Sequence, residues 1–430
     1  MRPRLGFTDL IGARVGIFGL GVEGKAAREE CRRLGIEPVV VDDRVPEALG
    51  VTDGGAEALG ACDIVIVSPG ITPYSGLVAQ LTGSGVITCG ALGLWLHGQD
   101  PGRVVLVTGT KGKSTTTSLL AHLATRSGIS AAAVGNIGTP PFGDHAPVVD
   151  FHAVEVSASQ AFWLPVGTTV SVVTSLSPDH LPWHGGSVEQ YYSDKLSVCT
   201  LPGAGVTIAN GDDPVLREHA TQLGDVEWVQ AQPADWLDEL PLLGQHNGRN
   251  ALLAMRALQR LGIADDSFDA AGAAASFKPL PGRLTVVARE PGVDYVDDGL
   301  ATNVLPVIAA LDAVGQRPTA LLLGGQERGI DYAGLAAALA DRAWVSVVTM
   351  PDNGPRIAQA VAHGSPTTQL HQAPNLRRAV ELGRELVLKT ATEANPGMVL
   401  LSPGAPSFGH FVDYRDRGAA FAQHAAELAR

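Results

Sequence analysis

The chain has 430 residues, 45% of them hydrophobic and 17% charged, with a formal net charge of −13. That length accommodates two to four cored domains. The acidic balance excludes nucleic acid as the main partner, because a phosphate backbone is bound by a basic face, so an anionic ligand has to be held by local clusters of Arg, Lys and helix N-termini. No stretch approaches the roughly 18 apolar residues of a membrane span. Met1-Arg2-Pro3-Arg4-Leu5-Gly6 lacks a following apolar core, so no signal peptide is expected. Cys31, Cys62, Cys89 and Cys199 show no metal-ligand spacing and read as buried, reduced thiols, consistent with an expected cytoplasmic location.

In chain order, an apolar strand over 13–18 runs into Gly19-Leu20-Gly21-Val22-Glu23-Gly24, a helix follows over 25–34, and a second strand over 38–41 ends in Asp42-Asp43-Arg44. Strand, glycine turn, helix and strand, with acidic residues about twenty positions after the glycines, form the usual dinucleotide fingerprint. NAD is one occupant of such a cradle. Another nucleotide with its diphosphate on the helix N-terminus suits it equally. The strand over 63–67 ends in Ser68-Pro69-Gly70-Ile71, a second loop at a strand's carboxyl end.

After Asp100-Pro101-Gly102, the β-branched run over 104–108 stops at Gly109-Thr110-Lys111-Gly112-Lys113-Ser114-Thr115. A standard phosphate loop has a glycine five residues before Gly112, where this chain has Val107, so the loop is a compressed form. A glycine-rich surface turn is the plain alternative, but two lysines and four consecutive hydroxyl residues after a buried-type strand point to an ATP site. Loop N–H groups face the phosphates, Lys113 reaches the outer ones, and a hydroxyl from Ser114 or Thr115 is placed for Mg²⁺. Glu155, near the end of the mostly apolar strand over 151–157, is a second Mg²⁺ anchor or else a solvated strand-end carboxylate. Two nucleotide loops, near 20 and near 112, suggest two nucleotides in one reaction.

The loop Ser177-Pro178-Asp179-His180-Leu181-Pro182-Trp183-His184-Gly185 reads as metal- or substrate-facing, or as structural. Lys195, on a helix over 188–196, is unremarkable by spacing. Asn247 and Asn250 share a helical face and suit a base edge, with N-capping as the competing role. Beyond the paired prolines of 277–284, strand-then-glycine patterns recur at 293–299, 321–325 and 398–404, separated by helical stretches. They predict another parallel α/β domain.

Taken together, Gly-Thr-Lys-Gly-Lys-Ser-Thr-Thr-Thr, Gly135-Asn136-Ile137-Gly138, His246-Asn247-x-x-Asn250, Pro281-Gly282-Arg283 and Leu401-Ser402-Pro403 resemble the Mur ligases over essentially the whole chain. The resemblance implies an α/β protein of three domains: a Rossmann-like UDP-substrate domain over 1–100, a central P-loop ATPase domain over 101–280 and a C-terminal Rossmann-like α/β domain over 281–430 that takes glutamate. It implies ATP and Mg²⁺, with UDP-N-acetylmuramoyl-L-alanine as acceptor, activated as an acyl phosphate. Gly21, Val22, Asp42, Asp43, Arg44, Ser68, Gly70, Asn136 and Ser157 would hold the UDP substrate. Gly109 to Thr115 would hold the phosphates, with Asn247, Asn250, Arg283 and Asp298 on the rest of ATP. Lys113, Lys195, His180 and Glu155 would be catalytic. The metal ligands would be Ser114, Thr115, Glu155, His180 and Lys195, the last as a carbamate.

The departures from the D-glutamate-adding enzymes lie in the glutamate pocket, assigned to Thr302, Arg328, Ser407 and Tyr414. The family's Asp-Ser-Lys-Ala-Thr-Asn is Asp298-Gly299-Leu300-Ala301-Thr302-Asn303, and its Gly-Gly-x-x-Lys becomes Gly324-Gly325-Gln326-Glu327-Arg328. Together with Ser402-Pro403-Gly404-Ala405-Pro406-Ser407-Phe408-Gly409, these look more like the variant ligases that add L-glutamate, whose product a separate epimerase inverts. A monomer is expected, with no nucleic-acid or membrane partner. The alternatives are the same reaction with D-glutamate, a folylpolyglutamate synthetase, a nicotinamide-dependent dehydrogenase, and a nucleotide sensor without turnover.

Overall fold

The computed structural model describes residues 2–392, 394–407 and 409–429. The chain packs as two compact units, 1–239 with 248–274 and 240–247 with 275–430. The sequence-based segments 1–100, 101–280 and 281–430 each contain one of three sheets, and the first two sheets share one unit.

The first sheet has the order β2-β1-β3-β4, from β1 Val15–Phe18, β2 Val39–Val41, β3 Ile64–Val67 and β4 Ile87–Cys89, all parallel. β1 and β3 are buried at every position, as expected for strands covered on both faces. From β1 the chain leaves towards β2, and from β3 it leaves towards β4, so the carboxyl ends of β1 and β3 flank the crevice where such sheets bind ligands.

The second sheet, also parallel, comprises β5 Val104–Thr108, β6 Ala131–Gly135, β7 Phe151–Glu155, β8 Val170–Val173, β9 Val206–Asn210 and β10 Asp225–Val229 in the order β10-β9-β8-β5-β7-β6. β5 is fully buried between β7 and β8, so its loop is flanked by both neighbours. A continuous core, running through Ile17, Leu92, Leu96, Val104, Leu106 and Val134, underlies the first two sheets.

In the other unit the order is β11-β12-β16-β13-β14-β15, from β11 Thr285–Glu290, β12 Val293–Asp297, β13 Thr319–Leu323, β14 Val345–Thr349, β15 Gln369–Gln372 and β16 Gly397–Leu401. The expected all-parallel sheet is corrected here. β11 runs antiparallel to β12, because only Pro291 and Gly292 separate them, and a two-residue connection can join antiparallel strands but not parallel ones. Gly292 supplies the positive φ of +82°. Among the described residues no helix is long and apolar enough to cross a membrane.

Candidate active site

At the β1/β3 crevice lies a cleft of about 620 Å³. Of the nine residues expected to hold the UDP substrate, Gly21, Val22, Asp42, Asp43, Arg44, Ser68, Gly70 and Asn136 line it. Its floor is the N-terminus of helix Val22–Arg33, whose unpaired N–H groups and dipole favour an anion. Gly24 packs so tightly that a Cβ there would stand 2.1 Å from the Gly19 carbonyl oxygen. Asp42 is engaged by the loops themselves: its Oδ2 accepts from Leu20 N at 2.6 Å and its Oδ1 from Arg44 N at 2.7 Å. Ser157 is not among the lining residues. It caps helix Ala158–Ala161, its Oγ accepting from Gln160 N.

Gln160 and Glu23 are among the wall residues missed from sequence. Gln160 Nε2 donates to Glu23 Oε2 at 2.9 Å, and Leu92 N donates to Glu23 Oε1 at 3.2 Å. Burial pushes the Glu23 carboxyl above its ordinary value, against the pull of those two donors. Its position inside the glycine turn was the available signal.

The phosphate loop follows β5. Gly109 (φ +136°) and Gly112 (φ +89°) hold conformations that favour glycine, and a Cβ on them would meet Thr174 Oγ1 at 2.2 Å and Asn250 Oδ1 at 2.6 Å. The segment after β8 braces the loop. Thr110 N donates to Ser175 O at 2.8 Å, Thr174 Oγ1 to Lys111 O at 2.6 Å, and Lys111 N to Ser175 Oγ at 2.8 Å. Helix Lys113–Arg126 starts at Gly112, with Ser114 and Thr115 buried in its first turn. Lys113 Nζ donates to Thr110 O at 3.0 Å, and Lys111 pairs with Asp179 at 3.3 Å.

Lys195, unremarkable by spacing, is 2% exposed and donates from Nζ to Gly109 O at 2.8 Å. Its helix, Val188–Leu196, turns that face towards the loop, with Nζ 4.9 Å from the Tyr191 ring centre. Burial lowers its pKa well below the ordinary lysine value. Lys113 adds to this, Asp179 and Glu155 oppose it, and Lys111 adds a smaller repulsion. Such a lysine reaches its neutral, nucleophilic form easily.

Glu155 is 2% exposed. Its Oε1 accepts from Asn136 Nδ2 at 2.7 Å, while the buried Oε2 has no hydrogen-bond partner among the described residues. A buried carboxylate oxygen left open beside a phosphate loop fits a hard cation. His180 is placed differently from a preformed ligand. Its backbone is left-handed (φ +49°), its ring is 80% exposed, and Asp179 is 3.8 Å away. Among the described residues no three His, Cys, Asp or Glu side chains form a metal cluster. Mg²⁺ needs no such cluster, since it keeps waters and phosphate oxygens and takes one or two carboxylates from protein.

In the second unit, Asp298 accepts from Ser402 Oγ at 2.7 Å. Burial, helped by Asp297, raises its pKa to about 7 against the pull of Ser402, Leu284 N and Arg283. A carboxyl whose folded-state pKa is raised contributes stability that is full below the unfolded value and is lost as pH rises through about 7. Asp298→Asn should therefore raise the melting temperature at pH 8 by several degrees relative to wild type, with the difference vanishing near pH 4. Thermal scans at both pH values check this, and an equal shift at both would exclude the titration.

Asn247 and Asn250 are both buried on helix Gln245–Arg260. Asn247 Nδ2 donates to Leu243 O at 2.7 Å. Arg283 is half-buried in the second unit, next to Gly282, and Tyr414 opens helix Tyr414–Leu428 with its ring close to Gly282. Arg328 is exposed and Thr302 half-buried. Ser407 alone of the four expected glutamate residues lines a pocket of about 120 Å³, together with Gly325, Met350, His410 and Arg417. Arg417, missed from sequence, is 1% exposed, and burial lowers its pKa to about 10. Its guanidinium donates to the carbonyls of Gly299, Gly324 and Ala405. Phe408 lies outside the described residues.

A phosphate loop beside a second nucleotide-type cleft, on an α/β scaffold, is the arrangement of an ATP-dependent ligase. Residues 107–231 match the Mur ligase middle domain, and residues 282–404 match the Mur ligase glutamate ligase domain. A UDP-N-acetylmuramoyl-L-alanine–L-glutamate ligase from Xanthomonas axonopodis pv. citri is 37% identical, covering 97% of this chain and 96% of that protein. One of the same name from Micromonospora sp. is 36% identical over 98% of each. The chain belongs to the Mur ligase family, ATP-dependent enzymes that join an acid to an amino acid. Solved structures share the fold. A UDP-N-acetylmuramate–alanine ligase from Thermotoga maritima superposes with a TM-score of 0.55 at 17% identity, covering 97% of this chain and 99% of that one. An ADP complex of Mycobacterium tuberculosis folylpolyglutamate synthase gives 0.54 at 18% identity, covering 75% and 91%.

Proposed function

We propose that this enzyme adds L-glutamate to UDP-N-acetylmuramoyl-L-alanine in peptidoglycan precursor synthesis. The observation that carries the reading is the end-to-end likeness to relatives named for that reaction. Those names favour L- over D-glutamate. The two nucleotide sites on one unit support it, because the acceptor is nucleotide-linked and its activation consumes ATP.

The UDP diphosphate sits on the N–H groups of Gly21 and Val22, between Ser68, Gly70 and Asn136, with Arg44 as the cation and Asp42 and Asp43 shaping the rim. Ser157 acts through the cap that orients Gln160. The substrate carboxylate oxygen attacks the γ-phosphorus of ATP, and ADP leaves. Lys113 and the loop N–H groups neutralise charge on the transferring group. Ser114 or Thr115, Glu155 and Lys195 as its carbamate, together with His180 from its exposed loop, would hold Mg²⁺, which would supply positive charge to offset that of the phosphates and carboxylate. Neutral Lys195 forms that carbamate by adding its Nζ to CO₂ with loss of a proton. Asn247, Asn250, Asp298 and Arg283 take the rest of ATP. The glutamate amine then attacks the acyl carbon, phosphate departs, and the nitrogen loses its proton. Thr302, Arg328, Ser407 and Tyr414 hold glutamate. Segments 1–100, 101–280 and 281–430 carry the UDP-substrate, ATP and glutamate functions in turn. We read the enzyme as a cytoplasmic monomer whose product passes to an epimerase.

Phosphate release from ATP and UDP-N-acetylmuramoyl-L-alanine, run with L-glutamate and with D-glutamate, tests this. Release with L-glutamate alone is expected. Release with D-glutamate alone would overturn the stereochemical assignment, and release with neither would overturn the substrate assignment. Arg328→Lys should raise KM for glutamate about tenfold with KM for ATP unchanged, because a planar fork is replaced by a point charge. An unchanged KM for glutamate would remove Arg328 from the pocket.

A further inference from the structure

The loop after β3 lines the UDP cleft with Pro69, Gly70 and Ile71. It is also tied to the segment carrying His180. Trp183 Nε1 donates to Pro69 O at 2.9 Å, and Thr72 Oγ1 donates to Trp183 O at 2.7 Å. The Tyr74 hydroxyl donates to Asp194, 3.1 Å from Oδ2, on the helix that bears Lys195. Asp194 is 4% exposed and also accepts from Gln190 Nε2 at 2.8 Å, and its Oδ2 stands 2.6 Å from His184 Nδ1. The Trp183 and His184 rings are 4.5 Å apart between centres, and those of His184 and Tyr191 are 5.0 Å apart. The Tyr191 hydroxyl is 3.1 Å from Thr110 Oγ1, inside the phosphate loop. A continuous run of hydrogen bonds and ring contacts, partly buried at Thr72, Tyr74 and Trp183 and buried from His184 to Thr110, therefore joins the wall of one nucleotide site to the loop of the other.

We propose that Thr72, Tyr74, Trp183 and His184 are positioning residues that couple occupancy of the UDP cleft to nucleotide binding at the phosphate loop. None of the four lines the cleft, so they act through the loop and helix they join. Seating the UDP substrate against Pro69 and Gly70 fixes Trp183 and, through His184 and Asp194, the helix that presents Tyr191 to Thr110 and Lys195 to Gly109. Removing a tie lets the two sites order independently and lowers the coupling between them. The inference rests on the reading that the cleft takes the UDP substrate and the loop takes ATP.

The test is calorimetric titration of β,γ-imido-ATP with Mg²⁺, in the absence and presence of saturating UDP-N-acetylmuramoyl-L-alanine, on wild type, Thr72→Val and Tyr74→Phe. Wild type should bind the analogue at least about fivefold more tightly when the UDP substrate is present. In each variant that factor should fall to about two or less, while affinity for the analogue alone stays within about twofold. Wild-type coupling retained in both variants, or no coupling in wild type, would overturn the inference. Equal weakening of the analogue with and without UDP substrate would overturn it too, by showing general damage. Failure of wild type to bind the UDP substrate at all would instead overturn the functional reading. The two substitutions each remove one hydroxyl, the first bonded to Trp183 and the second to Asp194, so misfolding of one leaves the other decisive.

Discussion

Lys113→Ala should lower turnover by about 10³-fold or more while leaving affinity for the UDP substrate within about twofold. The magnitude is that of removing a cation that stabilises charge on a transferring phosphoryl group. The selectivity follows from placement. Lys113 opens the helix behind the phosphate loop with its Nζ folded onto Thr110 O, and it does not line the 620 Å³ cleft. ATP hydrolysis or ligation assays paired with equilibrium binding of UDP-N-acetylmuramoyl-L-alanine check both halves. Loss of binding for both nucleotides would mean that the phosphate loop organises the whole unit rather than one site.

Lys195→Ala should cost about 10²- to 10³-fold in turnover, and formate or acetate should restore at least about tenfold of it. An ammonium buried to 2% exposure, facing a loop that carries Lys113, is poorly placed as a permanent cation. As a carbamate it would become an anionic oxygen donor that, with Glu155, could take part in holding a hard cation. Small carboxylates can supply those oxygens in the space left by the side chain, whereas they cannot repair a packing defect. Wild type should also lose activity when CO₂ is removed from the buffer. Full activity of the alanine variant would remove Lys195 from the mechanism. Loss of activity without rescue, in a variant that still binds ATP, would assign it to bracing Gly109 instead.

Elements whose chemistry is local were legible in the chain. The glycine turn at 19–24, the loop at 109–115 and the strand ends at Ser68 and Glu155 announce themselves, because a phosphate cradle needs glycines, a lysine and hydroxyls at short fixed spacings. Eight of the nine residues expected to hold the UDP substrate line the cleft. The exception, Ser157, had its hydroxyl taken by the N-cap of its own short helix, a local use that competes with ligand binding wherever serine precedes a helix. The parallel order expected for the last sheet failed at β11, where Pro291-Gly292 makes a hairpin.

Other roles depend on distance in sequence. Lys195 is 86 residues from Gly109, Trp183 is 114 from Pro69, and Tyr74 is 120 from Asp194. No periodicity or spacing relates such pairs, since they meet only where strand order and helix packing bring two loops to one edge. Arg417 and Glu23 belong with them, because their significance lies in burial. Motif thus pointed to the family and to two glycine-rich cradles, as backbone conformation and anion binding are properties of a few consecutive residues. The lowered pKa of Lys195, the open oxygen of Glu155 and the tie between the two cradles were decided only by folding, because desolvation and long-range contact exist only once the chain has closed around them.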